Sequence, residues 1–331
     1  MAPKVEITLK VPALEQLLNL TASGIGSVAG PMLSRWRAQQ LGKARQIAAS
    51  ADATVLRIQA EAQSKAREAL MPSGVQITGE LDIGTAIEQR IQFQEEKRQA
   101  NIVSVVAKAA SQHEGREVES SEPDHDWTAR FFNEVQDVSS EEMQTLWARV
   151  LAGEVERKGS TSIRTLQVLK NLDQVTARLF RQMVSRCVYF PARCFPYVGD
   201  ARLPSLGGNA ASNALREHGF PFDELNRLNE HDLIISDYNS WYSYDAVRAR
   251  ESPVALPFEF QDGSWTLTPS TDRATNWDGK LSGVALSLSG RELAAVIDLE
   301  PAEEFGNALR AFFQRNGLTM TPSVPATIVD A

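Results

Sequence analysis

Few residues in this sequence have types and spacing suited to chemistry. Cys187 and Cys194 stand seven residues apart with no further cysteine or histidine beside them, so neither a zinc site nor a nucleophile–base pair is expected. Asp124, His125 and Asp126 offer three consecutive potential metal ligands. They directly precede an apolar-periodic stretch, where Asp126 as a helix N-cap is the simpler role. No phosphate-binding glycine loop with lysine, nucleophile elbow or metalloprotease helix motif is present. The sequence therefore predicts no catalytic residue, no metal and no cofactor.

Two other groups of residues suit binding. Tyr238, Trp241, Tyr242 and Tyr244 cluster in a polar stretch and form a candidate binding patch, with packing across a neighbouring sheet as the alternative. Near the start, residues 14–33 carry a single charge, Glu15, and their second half is small or apolar. On a helix, Ala22, Gly26 and Gly30 fall at i, i+4 and i+8, a stripe that lets another helix approach closely. Gly24, Gly26 and Gly30 each cost about 1 kcal/mol against alanine in a helix, so such a helix needs a partner or a lipid surface. Arg35, Trp36 and Arg37 follow, residue types common at membrane interfaces. Two readings stand side by side: a buried glycine-rich helix pair, or a segment that contacts lipid conditionally. Glu15, Gln16 and Asn19 argue against a permanent span, which needs about 20 mainly apolar residues.

Elements must position these groups. Val5, Ile7 and Leu9 alternate as a short strand. Residues 34–70 read as one alanine-rich helix ended by Pro72, with Leu41, Ala48, Val55, Ala62 and Ala69 recurring every seven residues and Ala44, Ala51 and Ile58 interleaved. Leu41, Ala48, Val55, Ile58 and Ala62 are the candidate helix-pairing residues. Between residues 34 and 67, seven basic residues face Asp52 and Glu61, a local excess of five. A second helix over 82–110 uses Ile83, Ile87, Ile91, Ile102, Val105, Val106 and Ala109 as its apolar positions, and the two helices form an expected antiparallel hairpin.

An acidic linker over 111–125 leads to a helical bundle over 126–187. Its helices carry Trp127, Phe131, Phe132 and Val135; then Met143, Leu146, Trp147, Val150 and Leu151 behind a Ser139/Glu142 capping box; then Ile163, Leu166, Leu169 and Leu172; then Phe180, Met183 and Val184 behind Asp173. Residues 126–132 (Asp-Trp-Thr-Ala-Arg-Phe-Phe), 138–154 (ending Leu-Trp-Ala-Arg-Val-Leu-Ala-Gly-Glu) and 165–173, with the glycine-rich run 22–32 and the helix after it, resemble a bacterial family catalogued only as a domain of unknown function (twenty-eight hundred and six). These are packing signatures and mark no active site. The Leu-Trp-Ala-Arg-Val-Leu-Ala-Gly element is also similar to one in the abortive-infection alpha family of phage-defence proteins, which implies a defence context.

Prolines and aromatics become frequent after Val188. The expected elements there are a helix over 222–229, a strand over 233–235, a hairpin of 254–260 and 264–268 around Asp262-Gly263, and a strand over 284–288. A helix capped by Ser289 and a last helix over 302–316 follow, and residues 318–331 read as a flexible tail. This order resembles a winged helix over 188–317.

The predicted fold class is mainly α with an α+β C-terminal module: a long N-terminal helical hairpin over 1–110, the small bundle, and the winged-helix-like module. With 331 residues, net charge −8 and two cysteines, no disulfide scaffold and no global attraction to anionic partners are expected. The start lacks a secretory pattern, so the expected location is the cytoplasm, with peripheral or conditional membrane association. The expected function is a non-enzymatic phage-defence sensor or effector that forms homo-oligomers and engages membrane lipid, a second defence protein or a phage component. The alternative is a winged-helix regulator that binds nucleic acid. Its candidate recognition helix carries Asp223, Glu224 and Glu230 against Arg227, so nucleic acid ranks behind the other partners.

Overall fold

A computed structural model describes residues 83–112, 123–190, 200–243, 256–261, 263–270 and 278–323. The glycine stripe, the Arg35–Trp36–Arg37 trio and the heptad seam therefore lie outside the described residues, as do Tyr244 and Cys194. Helices and one antiparallel sheet of seven strands make up the described chain. Contacts divide it into two compact units, residues 1–166 and 167–331, and the division falls inside the helix Ile163–Lys170.

The first unit is built on α1 (Ile83–Gln112), α2 (His125–Val135) and α3 (Glu141–Glu156). Phe131 of α2 meets Trp147 of α3 edge-on at 5.4 Å, while Trp127 stacks on Phe131 at 5.1 Å and Phe132 meets it edge-on at 5.3 Å. The Trp127 indole N–H is not left orphaned, since it donates to the Thr161 carbonyl at 2.8 Å. Asp124, rather than Asp126, caps α2 by accepting from the Asp126 and Trp127 amides. Asp124 follows Pro123 with an extended backbone (φ −63°, ψ 139°), so the helix starts two residues earlier than a cap at Asp126 predicts. On α3 the N-cap is Ser140, without a side-chain cap bond. The expected cap, Ser139, instead receives the Asn101 side-chain amide at 3.4 Å.

The helix α4 (Ile163–Lys170) leads into the second unit, where Asp173 caps α5 (Gln174–Val184) as expected. Its carboxylate accepts from the Thr176 amide at 2.8 Å, and that bond holds the carboxyl below its ordinary range. The sheet comprises β1 (Val188–Phe190), β2 (Asp200–Pro204), β3 (Trp241–Ser243), β4 (Leu256–Phe260), β5 (Gly263–Pro269), β6 (Lys280–Ala285) and β7 (Leu318–Pro322), in the order β3-β6-β2-β1-β4-β5-β7. Three helices complete the unit: α6 (Phe222–Glu230), α7 (Leu288–Ala294) and α8 (Glu303–Arg315).

Three expectations are corrected here. Residues 318–322 are not a loose tail: Leu318 and Met320 alternate with threonines, are buried, and pair with Pro269 and Leu267 of β5. Residues 233–235 contribute only a single bridge, Ile234 to Leu286. That bridge ends the strand run at Leu286 and leaves Ser287 extended, so Ser287 rather than Ser289 caps α7, accepting from the Gly290 amide at 2.9 Å. Gly290 is required there, because a Cβ would lie 2.0 Å from the Leu233 carbonyl oxygen.

Arg202 is the polar centre of this sheet. It is 4% exposed, and donates from Nε (2.6 Å) and Nη2 (3.0 Å) to both oxygens of the buried Asp200. Its Nη1 donates to the Ser240 and Leu281 carbonyls at 2.7 and 3.1 Å, joining β2 to β6 and to the entry of β3. Replacing one member of a buried pair strands the other charge. Asp200→Ala is expected to lower the unfolding free energy by about 3–5 kcal/mol in urea titration, and Asp200→Leu with Arg202→Met to recover most of that loss.

Candidate interaction sites

Helix α1 has two halves of different character. From Asn101 to Ala109 it packs on α3 and α2, with Ile102, Val105, Val106 and Ala109 buried. A polar ladder fixes the register of that contact. Ser104 donates to Gln144 Oε1 at 2.8 Å, while Gln144 Nε2 donates to Asn101 Oδ1 (3.3 Å) and to the Val138 carbonyl (2.9 Å). Asn101 in turn donates to the Gln136 carbonyl at 2.8 Å. Sliding α1 by one turn would leave these buried amides unsatisfied.

Residues 87–97 of the same helix are exposed throughout. Ile87 and Ile91 share one face and are 43% and 55% exposed; Phe93 is 43% exposed. Read along the helix, Ile87, Ile91, Glu95, Arg98, Ile102, Val105 and Ala109 follow steps of four and three, so the face that seats α3 continues uncovered toward residue 87. The sequence pattern counts Ile87 and Ile91 as core. The structure leaves them on the surface, because α3 ends its contact near Asn101. Arg98, at the junction, donates to Asp137 at 3.1 Å.

The candidate aromatic patch separates into different environments. Tyr238 is 6% exposed and its hydroxyl donates to Asn226 Oδ1 at 2.8 Å, which makes it a core residue of the α6 region. Trp241 lies on the edge strand β3, 52% exposed, with the Lys280 ammonium 4.3 Å from its ring centroid. Tyr242 is half-buried on the same strand.

The residues suited to chemistry are also placed. Cys187 is buried, and burial, then the nearby Asp200 charge, pushes its thiol well above the ordinary range. Burial likewise pushes the Tyr189 hydroxyl up, and that hydroxyl has no hydrogen-bond partner among the described residues. Among the described residues no three His, Cys, Asp or Glu side chains gather as a metal site. No helix among them is long and apolar enough to cross a membrane.

Residues 86–310 match the family model described as "Protein of unknown function (DUF2806)". The chain belongs to that family. No curated protein and no solved structure matches it. In this DUF2806 member the motif residues are accounted for by packing: Trp147, Ala148, Val150 and Leu151 are buried, and Trp127 and Phe131 complete the aromatic cluster. Glu154 has a role that sequence reading missed. It is 2% exposed and accepts from the Gly159 amide (2.7 Å), the Ser160 hydroxyl (3.2 Å) and the Thr161 amide (3.0 Å), so it anchors the loop after α3. A glutamate between Ala152-Gly153 and Val155 on an otherwise apolar face was the available signal.

The two halves of α1 predict opposite mutational behaviour. Ile87→Asp with Ile91→Asp is expected to change unfolding free energy by no more than about 0.5 kcal/mol, as for surface sites. Ile102→Asp, on the same helix face but buried, is expected to unfold the first unit. Paired urea titrations followed by circular dichroism check both.

Proposed function

We propose that this chain is a non-enzymatic bacterial phage-defence sensor or effector that self-assembles through its N-terminal helices and engages a membrane or a phage-derived structure. The observation that carries the reading is the uncovered apolar pair Ile87 and Ile91 on one face of α1, 43% and 55% exposed. Exposed apolar side chains grouped on one helix face are the ordinary mark of an interaction surface. The chain directly before α1 holds the alanine seam and the Ala22/Gly26/Gly30 stripe, both suited to close helix contact. The defence context rests on the likeness of residues 146–153 to the abortive-infection alpha element.

In this reading the helices of 34–70 and 82–110 form an antiparallel hairpin, and hairpins associate into homo-oligomers. Assembly then orders or releases residues 14–33, whose small-residue stripe packs against copies of itself or enters lipid, with Arg35, Trp36 and Arg37 at the interface. A partner defence protein or phage component supplies the trigger. Cytoplasmic chains would become membrane-associated only in the assembled state.

A winged-helix, nucleic-acid-binding role for the C-terminal module ranks second. The favouring feature is α6 followed by the extended chain around Ile234. Against it, Arg227 on α6 is engaged by Glu224 at 3.4 Å, and Asp223 and Glu230 add negative charge to the helix.

Gly26→Leu with Gly30→Leu is expected to abolish protection against phage in a plaque assay and to reduce the assembled mass seen by light scattering, while the second unit keeps its unfolding transition. Unchanged protection and mass would overturn the proposal. Liposome flotation beside a DNA gel shift on the wild-type protein separates the two readings, since phosphate-driven DNA binding falls steeply with added salt.

A further inference from the structure

A cleft of about 410 Å³ opens in the second unit where the β4–β5 turn meets the first turns of α8. Phe260 and Trp265 form one wall, and Gly306, Asn307 and Arg310 of α8 form the other. The wall positions on α8 follow the helical steps 303, 306/307 and 310, so one face of the helix borders the cleft. Gly306 keeps the two walls close, since a Cβ there would lie 3.2 Å from the Phe260 ring. The Trp265 indole N–H is bound to the Phe260 carbonyl at 3.1 Å, and the Arg310 guanidinium sits 5.7 Å from the Trp265 ring centroid.

We infer that this cleft is the docking site of the chain's own residues 324–331, the segment that follows β7. Three observations lead there. First, the pairing of β5 with β7 sets Trp265 opposite Pro322, and the Ser323 amide donates to the Ser264 carbonyl at 2.8 Å. The chain therefore leaves β7 beside the β4–β5 turn, at the end of the sheet where the cleft lies. Were the same register continued, Val324 would stand opposite Gly263, beside the Trp265 indole that lies over that glycine (Nε1 2.9 Å from where a Cβ would be), and positions 324, 326 and 328 would turn to the face that carries Trp265.

Second, the segment is long enough and suitably apolar. Val324-Pro-Ala-Thr-Ile-Val-Asp-Ala holds one charged side chain, Asp330, among aliphatic and small residues. Eight residues reach at most roughly 26–29 Å when extended, which spans a cleft of this size. Third, Arg310 offers Asp330 one oppositely charged partner, as the one cation that lines the cleft beside the one anion, Glu303. A tethered segment needs little buried area, because its effective concentration beside the cleft is in the millimolar range for a short link.

Amide hydrogen exchange on the full-length chain tests the assignment. Residues 324–331 are expected to exchange at least about tenfold more slowly than a free peptide of the same sequence. That protection is expected to be lost in Ile328→Asp, which alters only the segment, and in Asn307→Trp, which fills the cleft from an exposed helix position. A chain with Asn307→Cys and Ile328→Cys is expected to form a disulfide within one molecule under mild oxidation. Exchange as fast as the free peptide, protection that survives both variants, or a disulfide that joins two chains would each overturn it. None of these outcomes depends on the N-terminal assembly proposed above.

Discussion

A guanidinium cannot be taken out of water without partners for its N–H groups, and that constraint at Arg202 organises the second unit. Bidentate pairing with Asp200 neutralises the charge, and the remaining donors reach two carbonyls on other parts of the sheet. The pair's partners lie on β2, on β6 and just before β3, so the residues that answer one buried charge also fix the order of three strands. Apolar residues could fill the same volume, but they would not specify which carbonyls must converge. Phe190, Phe258 and Phe313 then supply the apolar stabilisation around that fixed frame, with ring centroids 5.5 and 6.0 Å apart in turn.

The first unit uses the same logic with neutral groups. Asn101, Ser104 and Gln144 satisfy one another across the α1–α3 contact and so set where along α1 the contact stops. The exposed stretch at Ile87 and Ile91 is a consequence of that register. The proposed function rests on this surplus of apolar surface, while Asp124 caps a helix, Cys187 is buried, and Glu154 ties down a loop.

Much of the helical architecture was legible in the sequence. The 3.6-residue periods located the starts of α2, α3, α5 and α8 to within a residue or two, although α3 runs on past Gly153 to Glu156, and Asp173 was identified as a cap from its place before an amphipathic run. Cap choice was less legible where two candidates competed. Ser139 against Ser140, Ser287 against Ser289, and Asp124 against Asp126 were decided by where the preceding backbone turned extended, which depends on tertiary neighbours. The sheet was legible in parts: the hairpin around Asp262-Gly263 appears, whereas β7 was hidden by its position near the end of the sequence and by Pro322. Of the candidate site residues, the aromatic patch was legible as composition, but Tyr238 is buried against α6 and Trp241 is exposed on the edge strand β3, which the composition does not tell.

By itself the sequence determined the periodic faces, the turn residues and the family to which the chain belongs, because these depend on local chemistry and residue spacing. It also determined that the N-terminal third is rich in glycine and alanine, while aromatics dominate later. Only the tertiary structure decided which half of α1 is covered, which carbonyls receive Arg202, and that the chain leaves β7 at the mouth of the Trp265 cleft. Those outcomes rest on contacts between residues distant in sequence, where a hydrophobic period says that a face seeks a partner but not whether the fold provides one.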